Sequence, residues 1–182
     1  MTETGRRSVR LTMEKIERRE RPIPRVTLAT AIPKGKRWTF LVEKATELGA
    51  ARIVPVHFAR GVAKGEGDTD RWRRWAVEAA KQCGRDWLPV IDPPATLSDV
   101  LAGAEEGGKW LADPGGDGAV DVCVSGVVTV VVGPEGGVTE GERELCRAAG
   151  FGGLCLSVNV LRVETAALAA CALLCRSHPA VS

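Results

Sequence analysis

The stretch "VVVGPEGGVTEGE", Val130 to Glu142, carries a β-branched run into a Gly-Pro-Glu-Gly-Gly turn and out into a helix start. Its valines close the longer run "VVTVVV" (Val127 to Val132), apolar on both faces as strands in the middle of a parallel sheet are. Thr139 and Glu142 have the Thr-x-x-Glu spacing of a capping box, so a helix is expected to begin there and to end at Gly150. In parallel sheets ligands bind outside the carboxyl ends of the strands, which is where this loop falls. It lacks the Lys-Ser or Lys-Thr of a P-loop, and its glycines do not match G-x-G-x-x-G. Gly133, Gly136 and Gly137 instead permit close backbone approach, with main-chain N–H and C=O groups free for a flat heterocycle and a compact polar tail. Taken alone, the same residues also suit a tight strand-to-helix turn that binds nothing.

Outward from this unit, strand and helix signals alternate. "RVTLATAI" (Arg25 to Ile32) is β-rich, and "KRWTFLVEKATELGA" puts Trp38, Leu41, Val42, Ala45 and Leu48 on one helical face, with Gly49 as the stop. "RIVPVHF" (Arg52 to Phe58) reads as a short strand whose Pro55 points to an irregular or edge position. Asp70 is placed to cap a helix from Arg71 to about Cys83. "WLPVID" and "GKWLAD" read as two further strands, separated by a proline turn and a short helix near "TLSDVLAGA". After Gly150, "GLCLS" reads as a last buried strand and "VETAALAACALLCR" as a helix apolar on almost every face. Such a helix needs cover on almost every side, more than so short a chain supplies, and it is expected to form a subunit interface. The alternation implies an α/β fold with a parallel sheet.

A chain of 182 residues, 45% hydrophobic and 26% charged, builds one good core. No apolar stretch is long enough to span a bilayer, and the opening "MTETGRRSVR" lacks the apolar core of a secretory signal, so no membrane partner and a cytoplasmic location are expected. Six cysteines without a C-x-x-C pair, beside only two histidines, favour buried thiols in a reducing compartment over a metal site. Met1 to Arg37 holds 11 Lys or Arg against 4 Asp or Glu, and the remainder is mildly acidic. A basic arm on such a domain suggests a polyanionic partner; a solvated terminus is the alternative.

Four motifs in order, "FLVEKATELGA", "AAKQCGR", "VVVGPEGGVTEGE" and "LRVETAALAA", resemble the RsmE family of ribosomal RNA uridine-N3 methyltransferases, within the SPOUT class, over about Pro33 to Cys175. The resemblance implies a SPOUT-type parallel sheet with a C-terminal deep trefoil knot, an exception to the usual unknotted rule. It implies a homodimer, and S-adenosyl-L-methionine bound by the knot loops through Val132, Gly133, Pro134, Glu135, Gly136, Gly137, Leu156, Ser157, Asn159, Val160 and Leu161. It makes residues 25–178 the methyltransferase domain, and residues 1–24 a basic arm that is the remnant of, or a substitute for, the family's N-terminal PUA-like barrel. The implied activity is S-adenosylmethionine-dependent methylation of N3 of a uridine in 16S ribosomal RNA, with the small ribosomal subunit as partner. The alternative is a non-catalytic RNA- or ribosome-binding module that keeps the fold. Where the family usually reads Leu-Gly-Pro-Arg-Ile-Leu-Arg, this chain has Leu156-Ser157-Val158-Asn159-Val160-Leu161-Arg162.

Such chemistry asks for few groups. The sulfonium methyl is already electrophilic, so the protein aligns it with the ring nitrogen and helps that nitrogen lose its proton. Arg162 is the candidate for orienting the base or stabilising its anionic oxygens. Glu164 is the candidate proton acceptor, or else a carboxylate at a helix N-terminus or paired with Arg162. For RNA, Trp72, Trp75, Ala76, Ala79 and Cys83 share a helix face and leave Arg71, Arg74, Lys81 and Arg85 as a basic stripe, which Lys36 and Arg37 could join. A solvated face with an Arg74–Glu78 pair is the plainer reading. The role of His57, beside a strand end, is open.

Overall fold

β-branched runs pack as strands and stripes of helical period pack as helices, and both kinds alternate through this chain. The computed structural model describes residues 3–5, 8–10, 12–17, 20–62, 67–116 and 126–176. In order its elements are β1 (Glu3–Gly5), β2 (Ser8–Arg10), β3 (Arg25–Ala31), α1 (Lys36–Leu48), β4 (Arg52–His57), α2 (Thr69–Cys83), β5 (Val90–Ile91) and β6 (Ala95–Thr96). They continue with α3 (Leu97–Ala102), β7 (Gly108–Ala112), β8 (Val127–Val132), α4 (Glu140–Ala148), β9 (Gly152–Leu154) and α5 (Val163–Leu174).

β1 and β2 pair antiparallel. The main sheet is parallel throughout, in the order β5-β4-β3-β8-β7-β9, with β6 also beside β4. β8 is central, and Val128 to Val132 are all buried, which is why it reads as an unbroken apolar run. α1 and α5 lie side by side, from Arg37 beside Glu164 at their starts to Gly49 beside Cys175 at their ends, and α5 also packs on β3 and β8. Trp38 of α1 meets Trp72 of α2 edge to face, with centroids 5.3 Å apart. No helix among the described residues is long and apolar enough to cross a membrane.

Several expectations change. The arm holds the paired strands β1 and β2, which at three residues each carry no alternation to read. Pro55 is buried in an interior strand, not at an edge. β5 pairs with Arg52 and Ile53 and β6 with Val56 and His57, so Pro55 falls in the gap between them, where its missing N–H leaves no ladder bond broken. The cap of α2 is Asp68, whose carboxylate accepts from the N–H of Arg71; Asp70 lies in the first turn and pairs with Arg73. Cys83 is exposed at the end of α2 and does not share its buried face. β9 stops at Leu154, two-residue β5 is all that forms from "WLPVID", and β6 carried no recognisable signal. α5 buries one face, whereas Thr165 and Ala172 are exposed and Leu168, Ala169 and Leu173 half-buried.

Candidate functional site

Three neighbouring strands end level with one another. Ala112, the last residue of β7, pairs in register with Val132 at the end of β8 and with Leu154 at the end of β9. These three residues form the apolar floor of an open cleft. Its walls are the loops that leave the three strands: Asp113–Pro114, Gly133–Gly137 and Leu156–Leu161.

The middle wall is a turn closed by the Gly137 N–H donating to the Pro134 carbonyl at 2.8 Å, with Gly137 in the left-handed region at φ +76°. At Gly133 a Cβ would lie 2.3 Å from a methyl of Val138, so any side chain there forces Val138 to move. After the turn, α4 starts with the expected capping box: Thr139 Oγ1 accepts from the Glu142 N–H, and the Glu142 carboxylate accepts from the Thr139 N–H at 2.8 Å. The other Glu142 oxygen accepts from the Ala59 N–H at 2.8 Å, tying the loop after β4 to this one. Desolvation pushes the Glu142 carboxyl up, but the N–H donors of Ala59 and Thr139 and the Thr139 hydroxyl outweigh it and hold the group below the usual carboxylate range.

Ten of the eleven residues expected to hold a cofactor line the cleft. The exception is Gly136, which faces the loop after β4: its carbonyl accepts from Arg60 at 3.1 Å, and a Cβ on it would lie 3.2 Å from that of Arg60. Ser157 Oγ accepts from the Asn159 N–H at 3.0 Å and shapes the third wall. Sequence reasoning missed Asp113 and Arg143, which form an ion pair on the cleft wall. The strand end and Asp-Pro-Gly-Gly turn after β7 were a readable signal for the first; nothing local marked the second.

Arg162 is the exposed N-cap of α5, directly after the cleft-lining Leu161. Glu164, in the first turn of α5, is buried; its Oε2 has no partner, and its Oε1 lies 3.7 Å from Arg37. Arg37 also donates to Glu135 on the cleft wall at 2.5 Å, and this hydrogen bond raises its pKa above the usual arginine value. It is therefore engaged inside the site and does not extend the basic stripe. Arg85 leaves the stripe as well: its guanidinium donates to the carbonyls of Thr46, Gly49 and Ala50 at 2.7 to 3.0 Å and caps the end of α1. Lys36, Arg71, Arg74 and Lys81 are exposed; Arg71 lies over Trp75, and Lys81, not Arg74, pairs with Glu78. His57 is half-buried at the end of β4. Among the described residues no group of three or more His, Cys, Asp or Glu is placed to hold a metal ion.

An RNA methyltransferase domain family model matches residues 19–175. Two ribosomal RNA small subunit methyltransferase E proteins are similar: that of Synechocystis, 33% identical over 82% of this chain, and that of Mesomycoplasma hyopneumoniae, 30% identical over 86% of this chain and 71% of its own length. The chain belongs to this family. It spans about half, 52%, of the Synechocystis relative. A ribosomal RNA small subunit methyltransferase E from Neisseria gonorrhoeae, solved bound to S-adenosyl methionine, matches with a TM-score of 0.76 at 31% identity, over 84% of this chain and 66% of that one.

Proposed function

We propose that this chain binds S-adenosylmethionine in the cleft and transfers its methyl group to N3 of a uridine in 16S ribosomal RNA. One observation carries the reading: the cleft lies at three in-register strand ends, with the glycine-containing turn of Gly133 to Gly137 as its middle wall, in a chain that shares fold and family with a relative solved with this donor bound. The floor of Ala112, Val132 and Leu154 fits a purine lying flat. The main chain of Gly133 to Gly137 and the side chains of Asp113, Ser157 and Asn159 offer polar contacts for the remainder. The donor supplies a sulfonium methyl that needs no further activation.

The chain's own residues have two tasks, to hold the uracil in line and to take the N3 proton. Arg162, solvent-facing beside the cleft, orients the base and stabilises the charge left on its oxygens as the proton departs. Glu164, two residues after Arg162, is the carboxylate to take that proton. Lys36, Arg71, Arg74, Lys81 and the arm of residues 1–24 hold phosphates around the domain of residues 25–178. In this reading the C-terminal segment is threaded through a deep trefoil knot, as the family resemblance implies. A second copy of the chain covers the outward face of α5, and a protein working on ribosomal RNA acts in the cytoplasm.

Isothermal titration with S-adenosylmethionine tests the first step, with saturable binding expected. Methyl transfer to small-subunit RNA, followed by nucleoside analysis, should then yield N3-methyluridine. No heat of binding, or a methyl group on another atom, overturns the reading.

A further inference from the structure

Arg37 sits in the first turn of α1, a turn that holds no acidic residue. A helix N-terminus repels a cation, so α1 gains nothing from a guanidinium there. The partners of Arg37 are on other elements. Its Nη1 lies 2.5 Å from Glu135 Oε1 in the glycine-rich turn and 3.7 Å from Glu164 Oε1 in the first turn of α5, so one nitrogen joins the cleft wall to a buried carboxylate. The turn itself is closed by a single internal bond, Gly137 N–H to Pro134 O, and two of its four residues are glycine. Such a segment has many conformations to lose when a ligand orders it, and affinity rises when the protein has already removed them. Arg37 grips the turn from α1, as Arg60 does through Gly136 O from the loop after β4.

We propose that Arg37 is a positioning residue of the cleft: by bridging Glu135 and Glu164 it holds the glycine-rich turn in its donor-binding shape, and it is not a phosphate contact. This rests on the reading of the cleft as the S-adenosylmethionine site.

The test compares Arg37→Gln, Arg37→Lys, Glu135→Gln and the Arg37→Gln/Glu135→Gln double variant by titration with S-adenosylmethionine. Arg37→Gln and Glu135→Gln should each raise Kd about tenfold, and the double variant should also sit at about tenfold, because both act through one contact. Arg37→Lys, which keeps the charge, should recover most of the affinity. The dependence of RNA binding on salt should have the same slope in Arg37→Gln as in the unmutated chain, whereas a lost phosphate contact lowers it by about one. A Kd within twofold of the unmutated value in Arg37→Gln or Glu135→Gln, a multiplicative double variant, or a reduced salt slope overturns the proposal. If Arg37→Gln does not fold, Glu135→Gln decides it by the same Kd criterion. An unmutated chain that binds no donor removes the donor-site reading itself, a failure distinct from that of any variant.

Discussion

Gly116 and Gly153 touch where the loop after β7 crosses β9. A Cβ on Gly116 would lie 2.6 Å from the Gly153 carbonyl carbon and 2.8 Å from the Leu154 nitrogen. Both are main-chain atoms of a strand that ends in the cleft floor, so neither can turn aside as a side chain would. Gly116→Ala should destabilise the fold by about 1–3 kcal/mol, the usual cost of overpacking, and lower the melting temperature in calorimetry. An unchanged melting temperature would mean that the loop shifts freely. Gly133 and Gly137 were legible as necessary glycines because they stand inside one turn, whereas the need for Gly116 and Gly153 comes from a contact 37 residues apart in sequence.

At the scale of elements, two side chains tie a helix end to a remote segment. Removing Arg85 takes its charged donor from three carbonyls at the end of α1, and Arg85→Ala should cost about 2–3 kcal/mol in urea unfolding. Lysine, a point charge without the planar fork, should recover little of that loss. RNA affinity should keep its salt slope in Arg85→Ala; a lower slope would return Arg85 to the phosphate-binding stripe. Glu142 caps α4 and also accepts from Ala59, and its carboxyl titrates below the ordinary value of 4.5. A depressed folded-state pKa means that the stabilisation is complete above about pH 4.5 and is lost as pH falls through the folded value. Glu142→Gln should therefore be less stable by about 1 kcal/mol at pH 7, with the gap closing in acid. A gap independent of pH in paired urea titrations would show that the charge of Glu142 contributes nothing. The capping box was readable from Thr139 and Glu142 alone; the bond to Ala59, 83 residues away, was not.

On the scale of the whole molecule, α5 places its buried face against α1, β3 and β8 and leaves Leu168, Ala169 and Leu173 half-covered. Apolar residues at a partly covered face are stabilised by a second surface, and an aspartate among them would be buried without a partner on assembly. Light scattering should find a dimer for the unmutated chain and a folded monomer for Leu168→Asp. A monomeric unmutated protein would leave the half-covered face without a role in assembly.

The sequence by itself determined most of the strand, loop and helix units and the α4 capping box, because each is written in a local pattern: a β-branched run, a glycine turn, a Thr-x-x-Glu spacing; ten of the residues around the cleft were named by the family resemblance. Tertiary structure alone decided which strand ends are neighbours, and so made the loop at Asp113 the third wall of the cleft. It also drew Arg37 and Arg85 out of the basic stripe, the one to Glu135 across 98 residues of chain and the other to the carbonyls at the end of α1. A guanidinium pairs with whatever carboxylate or carbonyl packing brings within 3 Å, and that partner leaves no trace in the residues on either side of it.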